Sequence, residues 1–95
     1  MHTLLDLNSV ITETVRLVST DVLSRESVVT TELDPQLPQV KATLVQIQQV
    51  LLNLIINALD AMEELPPVER RIIISTRSDK GDVVEVSVQI GRAHV

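Results

Sequence analysis

Residues Thr43 to Met62 read TLVQIQQVLLNLIINALDAM, and this stretch decides how the chain folds. It holds no glycine or proline, and apolar residues recur through it at helical spacing. At about 100° per residue, Gln46, Gln49, Asn53, Asn57 and Asp60 fall within an arc of about 80°. Leu44, Ile47, Leu51, Leu52, Leu54, Ile55, Ala58, Leu59 and Met62 fill most of the remaining circumference. A helix apolar over that much of its surface is expected to be buried on most sides, with the polar arc narrow and hemmed in. Thr43 and Gln46 have capping-box spacing at its start. Glu64-Leu65-Pro66-Pro67 ends it.

The chemistry of the arc is unusual for a solvent face. Such faces use Lys, Glu and Arg, whereas this one has four amides among five residues, and asparagine is a poor helix former. The arc is either an atypical solvent face or the lining of a cleft, and spacing alone leaves both open. An amide oxygen is a good neutral ligand for a hard cation. Magnesium keeps several waters and takes one or two protein oxygens plus phosphate oxygens. Asn57 can supply such an oxygen, with Asn53 one turn earlier holding a water or a phosphate oxygen.

Upstream, Ile11, Val15, Val18 and Val22 share a face, predicting a helix from about Asn8, as its N-cap, to about Arg25. Ser27 to Leu33 is rich in β-branched residues and reads as a strand, broken by Asp34-Pro35-Gln36-Leu37-Pro38. Gln39 to Lys41 reads as a short extended piece. Downstream, Arg71 to Arg77 predicts a strand, with Arg70-Arg71 as its solvated start rather than a phosphate clamp. Ser78-Asp79-Lys80-Gly81-Asp82 predicts a hairpin-like turn with Gly81 at positive φ. In Val83 to Val88, Val84, Val86 and Val88 alternate with Glu85 and Ser87, as in a half-buried strand.

The 95 residues allow one small domain with a thin core. Hydrophobic residues make up 44% and aromatic residues 0%, so leucine, isoleucine, valine, alanine and methionine must supply all the core volume. A mean hydropathy of +0.24 is too apolar for a disordered chain. The net charge of −5 argues against a nucleic-acid partner. Without cysteine there is neither a disulfide nor a thiolate metal site. Leu44 to Ala61 is too polar and slightly short for a membrane span, and the start does not resemble a signal peptide. The segment therefore reads as soluble and cytoplasmic, with no membrane contact of its own; a membrane anchor upstream of Met1 stays open. The last six residues, IGRAHV, break the pattern and match one frame of a common sequencing adapter. The domain is therefore expected to span residues 1–89, with 90–95 a non-native read-through tail; the alternative is a genuine strand extension.

The run from Gln49 through Asn53-Leu-Ile-Ile-Asn57-Ala to Ala61 resembles the N-box of sensor histidine kinases, Q-x-x-x-N-L-x-x-N-A-x-x-A, at every fixed position. Leu5-Asp6-Leu7-Asn8, Leu33-Asp-Pro-Gln-Leu-Pro38 and Val45-Gln-Ile-Gln-Gln49 resemble the family's neighbouring segments, so the likeness covers about Leu5 to Val88. It implies an α+β fold of the Bergerat type, a two-layer α/β sandwich, here truncated to two helices on a partial, mostly antiparallel sheet. It also implies a role in a two-component system: Mg2+ and ATP are bound, and the γ-phosphoryl group passes to a histidine on a separate dimerisation domain and then to a response regulator. The nucleotide-binding residues implied are Asn53, Asn57, Asp60 and Ala61, with Asn57 as the magnesium ligand. Gyrase-type ATPases carry a glutamate base at the position of Asn53, and asparagine cannot take a proton from water, so the kinase is favoured over that ATPase group. A non-catalytic interaction module is the alternative from another class.

Two departures matter. Thr43 stands where many members have Asp. The D-x-G-x-G box expected after the Val83–Val88 strand and the second glycine-rich box do not occur in these residues. The isolated chain is therefore expected to bind ATP very weakly or not at all, and its exposed last strand predicts marginal stability or self-association. Neither His2 nor His94 sits in the family's phospho-acceptor context.

Overall fold

A computed structural model describes residues 2–79 and 83–91. The chain begins with strand β1 (Thr3–Leu5), then helices α1 (Leu7–Leu17) and α2 (Ser19–Ser24). Strands β2 (Val28–Glu32) and β3 (Val40–Ala42) lead into helix α3 (Leu44–Ala61). A 3-10 turn at Pro67–Glu69 precedes strands β4 (Arg71–Ser78) and β5 (Val84–Gly91). The main sheet has the order β2-β4-β5, with β2 parallel and β5 antiparallel to the central β4. A separate antiparallel pair joins β1 to β3, with Leu4 opposite Lys41.

The core lies between the helices and one face of the main sheet. Ile72 and Ile74 of β4 are fully buried, and so are Ile11 of α1, Ile55 of α3 and Met62 just beyond it. Val84, Val86 and Val88 pack against this cluster from β5, as the alternation predicts. This is the α+β architecture expected from the sequence, with mixed strand directions.

The local readings need several corrections. The helix expected from Asn8 to Arg25 is broken at Val18, whose φ of −97° and ψ of 6° leave helical geometry. Val18 is only 5% exposed, so its side chain stays in the core while the helix axis turns beneath it. The N-cap of α1 is Asp6, which accepts from the Ser9 backbone N–H at 3.4 Å, rather than Asn8. At α3 Thr43 is the N-cap, but its side chain makes no capping hydrogen bond, so the capping box is not formed. The strand pair of β1 and β3 extends the short piece foreseen near Gln39, and Thr3–Leu5 was not foreseen as a strand.

A further correction concerns the burial of α3. Only Leu51, Ile55 and Leu59 within it are buried, while Val45, Val50, Leu54 and Ile56 are exposed. The helix lies on a single sheet layer, which covers one side and leaves the flanks open. Its length and mean hydropathy of 1.3 over 18 residues are enough for a membrane span by composition, contrary to the sequence expectation, yet its buried side is docked on the sheet. The residues read as the centre of the hairpin turn, Lys80, Gly81 and Asp82, lie outside the described residues, with Asp79 N–H donating to the Val83 carbonyl at 3.2 Å beside them. At the end of β5, Ile90 and Gly91 continue the ladder opposite Ile72 and Arg71.

Candidate functional site

The site begins with the register of α3. Leu51, Ile55, Leu59 and Met62 recur at spacings of four, four and three and anchor the helix to the sheet. That docking turns the opposite side outward. Gln46, Gln49, Asn53, Asn57, Asp60 and Ala61 are all exposed. The stripe of polar residues is therefore real and continuous, but it is open to solvent along its length rather than hemmed in among the described residues.

Two different borders flank the stripe. On one side an apolar groove of about 380 Å³ is lined by Val50, Leu51 and Leu54 of α3, Leu7 of α1, Val40 of β3, and Val84 and Val86 of β5, among others. On the other side stands Arg25, at the C-terminal cap of α2. Its Nη1 lies 2.6 Å from Asp60 Oδ1 and 3.4 Å from Glu63 Oε1. The hydrogen bond to Asp60, offset in part by desolvation, pushes the Arg25 guanidinium above its ordinary pKa. The stripe's one ionisable member is thus already held by a cation. The side chains of Asn53 and Asn57 make no hydrogen bond to any other described residue, so their amide oxygens are available to a ligand.

Arg70 was misread from sequence as a solvated strand start. Its guanidinium donates to three backbone carbonyls, those of Leu65 at 2.9 Å, Arg25 at 3.0 Å and Glu63 at 2.9 Å. It binds together the exit of α3, the end of α2 and the entry to β4. No local pattern signals this, because the three carbonyls meet only in the folded chain. Arg71 is exposed, as expected.

The donor set fits magnesium held mainly by phosphate. Among the described residues no cluster of three or more His, Asp or Glu could enclose a metal. A single amide oxygen with a second amide one turn away suits a cation that brings its own waters and phosphate oxygens.

No family profile matches the chain. It is 35% identical over 85 residues to the sensor protein TdiS of Thauera aromatica, covering 88% of this chain and 16% of that protein. It is 36% identical over 83 residues to the sensor histidine kinase ZraS of Escherichia coli strain K12, covering 87% of this chain and 17% of that one. The chain thus spans about one sixth of the length of these curated relatives. In fold it matches the catalytic domain of the histidine kinase ThkA with a TM-score of 0.74 and 27% identity, covering 93% of this chain and 56% of that one. Against ThkA in complex with the response regulator protein TrrA, the TM-score is 0.76 at 30% identity, covering 92% of this chain and 25% of that one.

Proposed function

The chain belongs with the catalytic domains of the sensor histidine kinases, and on that footing we propose that α3 forms one wall of a magnesium–ATP site in a two-component kinase. Asn57 supplies the amide oxygen to magnesium, Asn53 stands beside the phosphates, and Asp60 and Ala61 border the nucleotide. The γ-phosphoryl group then passes to a histidine on a separate dimerisation domain, and from there to a response regulator. In such a transfer the protein mainly positions the reactants and neutralises charge. Magnesium, when bound, draws electron density from the phosphoryl oxygens. This chain's own part is to orient the metal through an amide that carries no charge and titrates with nothing.

The observation that carries the reading is the state of Asn53 and Asn57. Both fall in N-box register, both are exposed, and neither side chain bonds to another described residue. The half-buried Asn8, by contrast, is satisfied from within the fold. The ATPase alternative is disfavoured by Asn53, which cannot act as a base.

The kinase acts in the cytoplasm, and in the longer protein a membrane anchor is compatible with this segment. The glycine-rich boxes of the family do not occur in these residues, so the chain by itself binds ATP very weakly or not at all. The deciding experiment replaces Asn57 by Asp or Ala in the full-length protein and follows autophosphorylation from ATP. Loss of labelling without a fall in melting temperature is expected. Unchanged labelling would leave the non-catalytic interaction module as the reading.

A further inference from the structure

Asp60 poses an electrostatic problem at the site just described. It follows Asn57 by three residues, which places it about 60° away on the same stripe. A free carboxylate there would repel nucleotide phosphates and compete with the Asn57 amide for a hard cation. Resting on the nucleotide reading above, we propose that Arg25 is a positioning residue that holds and neutralises Asp60, and that Arg70 fixes the backbone from which Arg25 does so.

The pair is built from two directions. Arg25 caps α2, and the next residue, Glu26, has a φ of 53°, so the chain reverses there and aims the Arg25 side chain at the end of α3. Arg70 clamps that reversal by donating to the Arg25 carbonyl at 3.0 Å, while its other nitrogens hold the Leu65 and Glu63 carbonyls. One arginine therefore ties the backbones of both partner segments together, and the other closes the 2.6 Å contact to Asp60 between them. The Arg25 side chain is 34% exposed and that of Asp60 57%, so water screens the pair and its contribution to stability is small. Its larger effect is on the charge that the stripe presents to a polyanionic ligand.

The test measures the Kd of a fluorescent ATP analogue with magnesium in the full-length protein, alongside thermal melting without nucleotide. Arg25→Gln is expected to raise the Kd about two- to fivefold with little change in melting temperature, and the effect should shrink at high salt. Adding Asp60→Asn to Arg25→Gln should lower the Kd again relative to Arg25→Gln alone, because the uncompensated charge is gone. Arg70→Lys keeps the charge but cannot span three carbonyls; it should weaken binding in the same direction and be relieved by Asp60→Asn. An unchanged Kd in Arg25→Gln, or a double variant that stays weak, overturns the proposal, because a purely structural staple is not rescued by removing its partner's charge. Wild-type protein that fails to bind the analogue defeats the nucleotide reading itself, whereas wild-type binding with unresponsive variants defeats only the role of Arg25.

Discussion

Asn8 and Thr76 lie 68 residues apart in sequence and 2.9 Å apart in space, with the Thr76 hydroxyl donating to the Asn8 side-chain oxygen. The same hydroxyl accepts the Asp34 backbone N–H at 2.9 Å, and the Asn8 amide donates to the Asp34 carbonyl at 2.7 Å. Three segments, α1, the Asp34–Pro38 loop and the central strand β4, are thus closed into one ring of hydrogen bonds around a threonine that is 6% exposed. Substituting Thr76 by Val keeps the shape and strands two polar groups. The expected cost is about 1–3 kcal/mol, measured by urea unfolding with the slope unchanged. A loss below about 0.5 kcal/mol would mean that water replaces the hydroxyl there.

Glu26 is the described non-glycine residue with positive φ, at 53°. It closes α2 in a Schellman arrangement, with Ser27 N–H donating to the Val22 carbonyl and Glu26 N–H to the Leu23 carbonyl, each at 3.0 Å. A side chain in this conformation carries a steric penalty that glycine lacks, against the entropy glycine loses on folding. Glu26→Gly is expected to stabilise the chain by about 0.5–1 kcal/mol. Equilibrium denaturation of the two proteins reads this directly.

The core is thin enough that one residue decides folding. Ile55 is fully buried at the centre of α3's docked face, among Ile11, Leu59, Ile72 and Ile74 in the same cluster. Ile55→Ala should cost about 2–5 kcal/mol, a large part of the whole stability of a domain this small. Loss of cooperative melting by circular dichroism is the expected outcome, and a transition within a few degrees of wild type would contradict the packing.

Strand β5 has one partner, β4, among the described residues, and beside it lie the exposed Val50 and Leu54. A sheet edge next to an apolar groove favours pairing between copies. Sedimentation of the purified chain should show concentration-dependent association, and Leu54→Gln should shift it toward monomer. A cooperatively melting monomer at high concentration would argue against this.

What the sequence revealed and what it hid follow from the range of the interactions. Helix α3 and strands β4 and β5 were legible because their patterns repeat over 18, 8 and 8 residues with the periods of their own secondary structure. The polar stripe was legible for the same reason: Asn53 and Asn57 are one helical turn apart whatever else the chain does. The pairing of β1 with β3 was hidden, since three residues on each side carry too little periodicity and the partners are nearly forty residues apart. The roles of Arg70 and Asn8 were hidden more completely. Each satisfies backbone or side-chain groups from distant segments, and nothing beside Arg70 in sequence distinguishes it from the exposed Arg71. The openness of α3 was misjudged because periodicity counts apolar residues but does not say how many layers exist to cover them.

The asparagines of α3 allow function to be separated from stability. Asn53 and Asn57 are exposed in the interior of an 18-residue helix, and their side chains make no hydrogen bond to another described residue. Asparagine is a weaker helix former than alanine by up to about 0.7 kcal/mol. If these residues served the fold, replacing them would weaken it. If they are kept for a ligand, Asn53→Ala and Asn57→Ala should each raise the unfolding free energy of the chain by a few tenths of a kcal/mol, about 0.3–0.7. In the full-length protein the same substitutions should weaken magnesium-dependent binding of an ATP analogue. Opposite signs for stability and binding at the same two positions would mark a site maintained against the preference of its own helix. Destabilisation by either substitution, with binding intact, would return the stripe to a structural role.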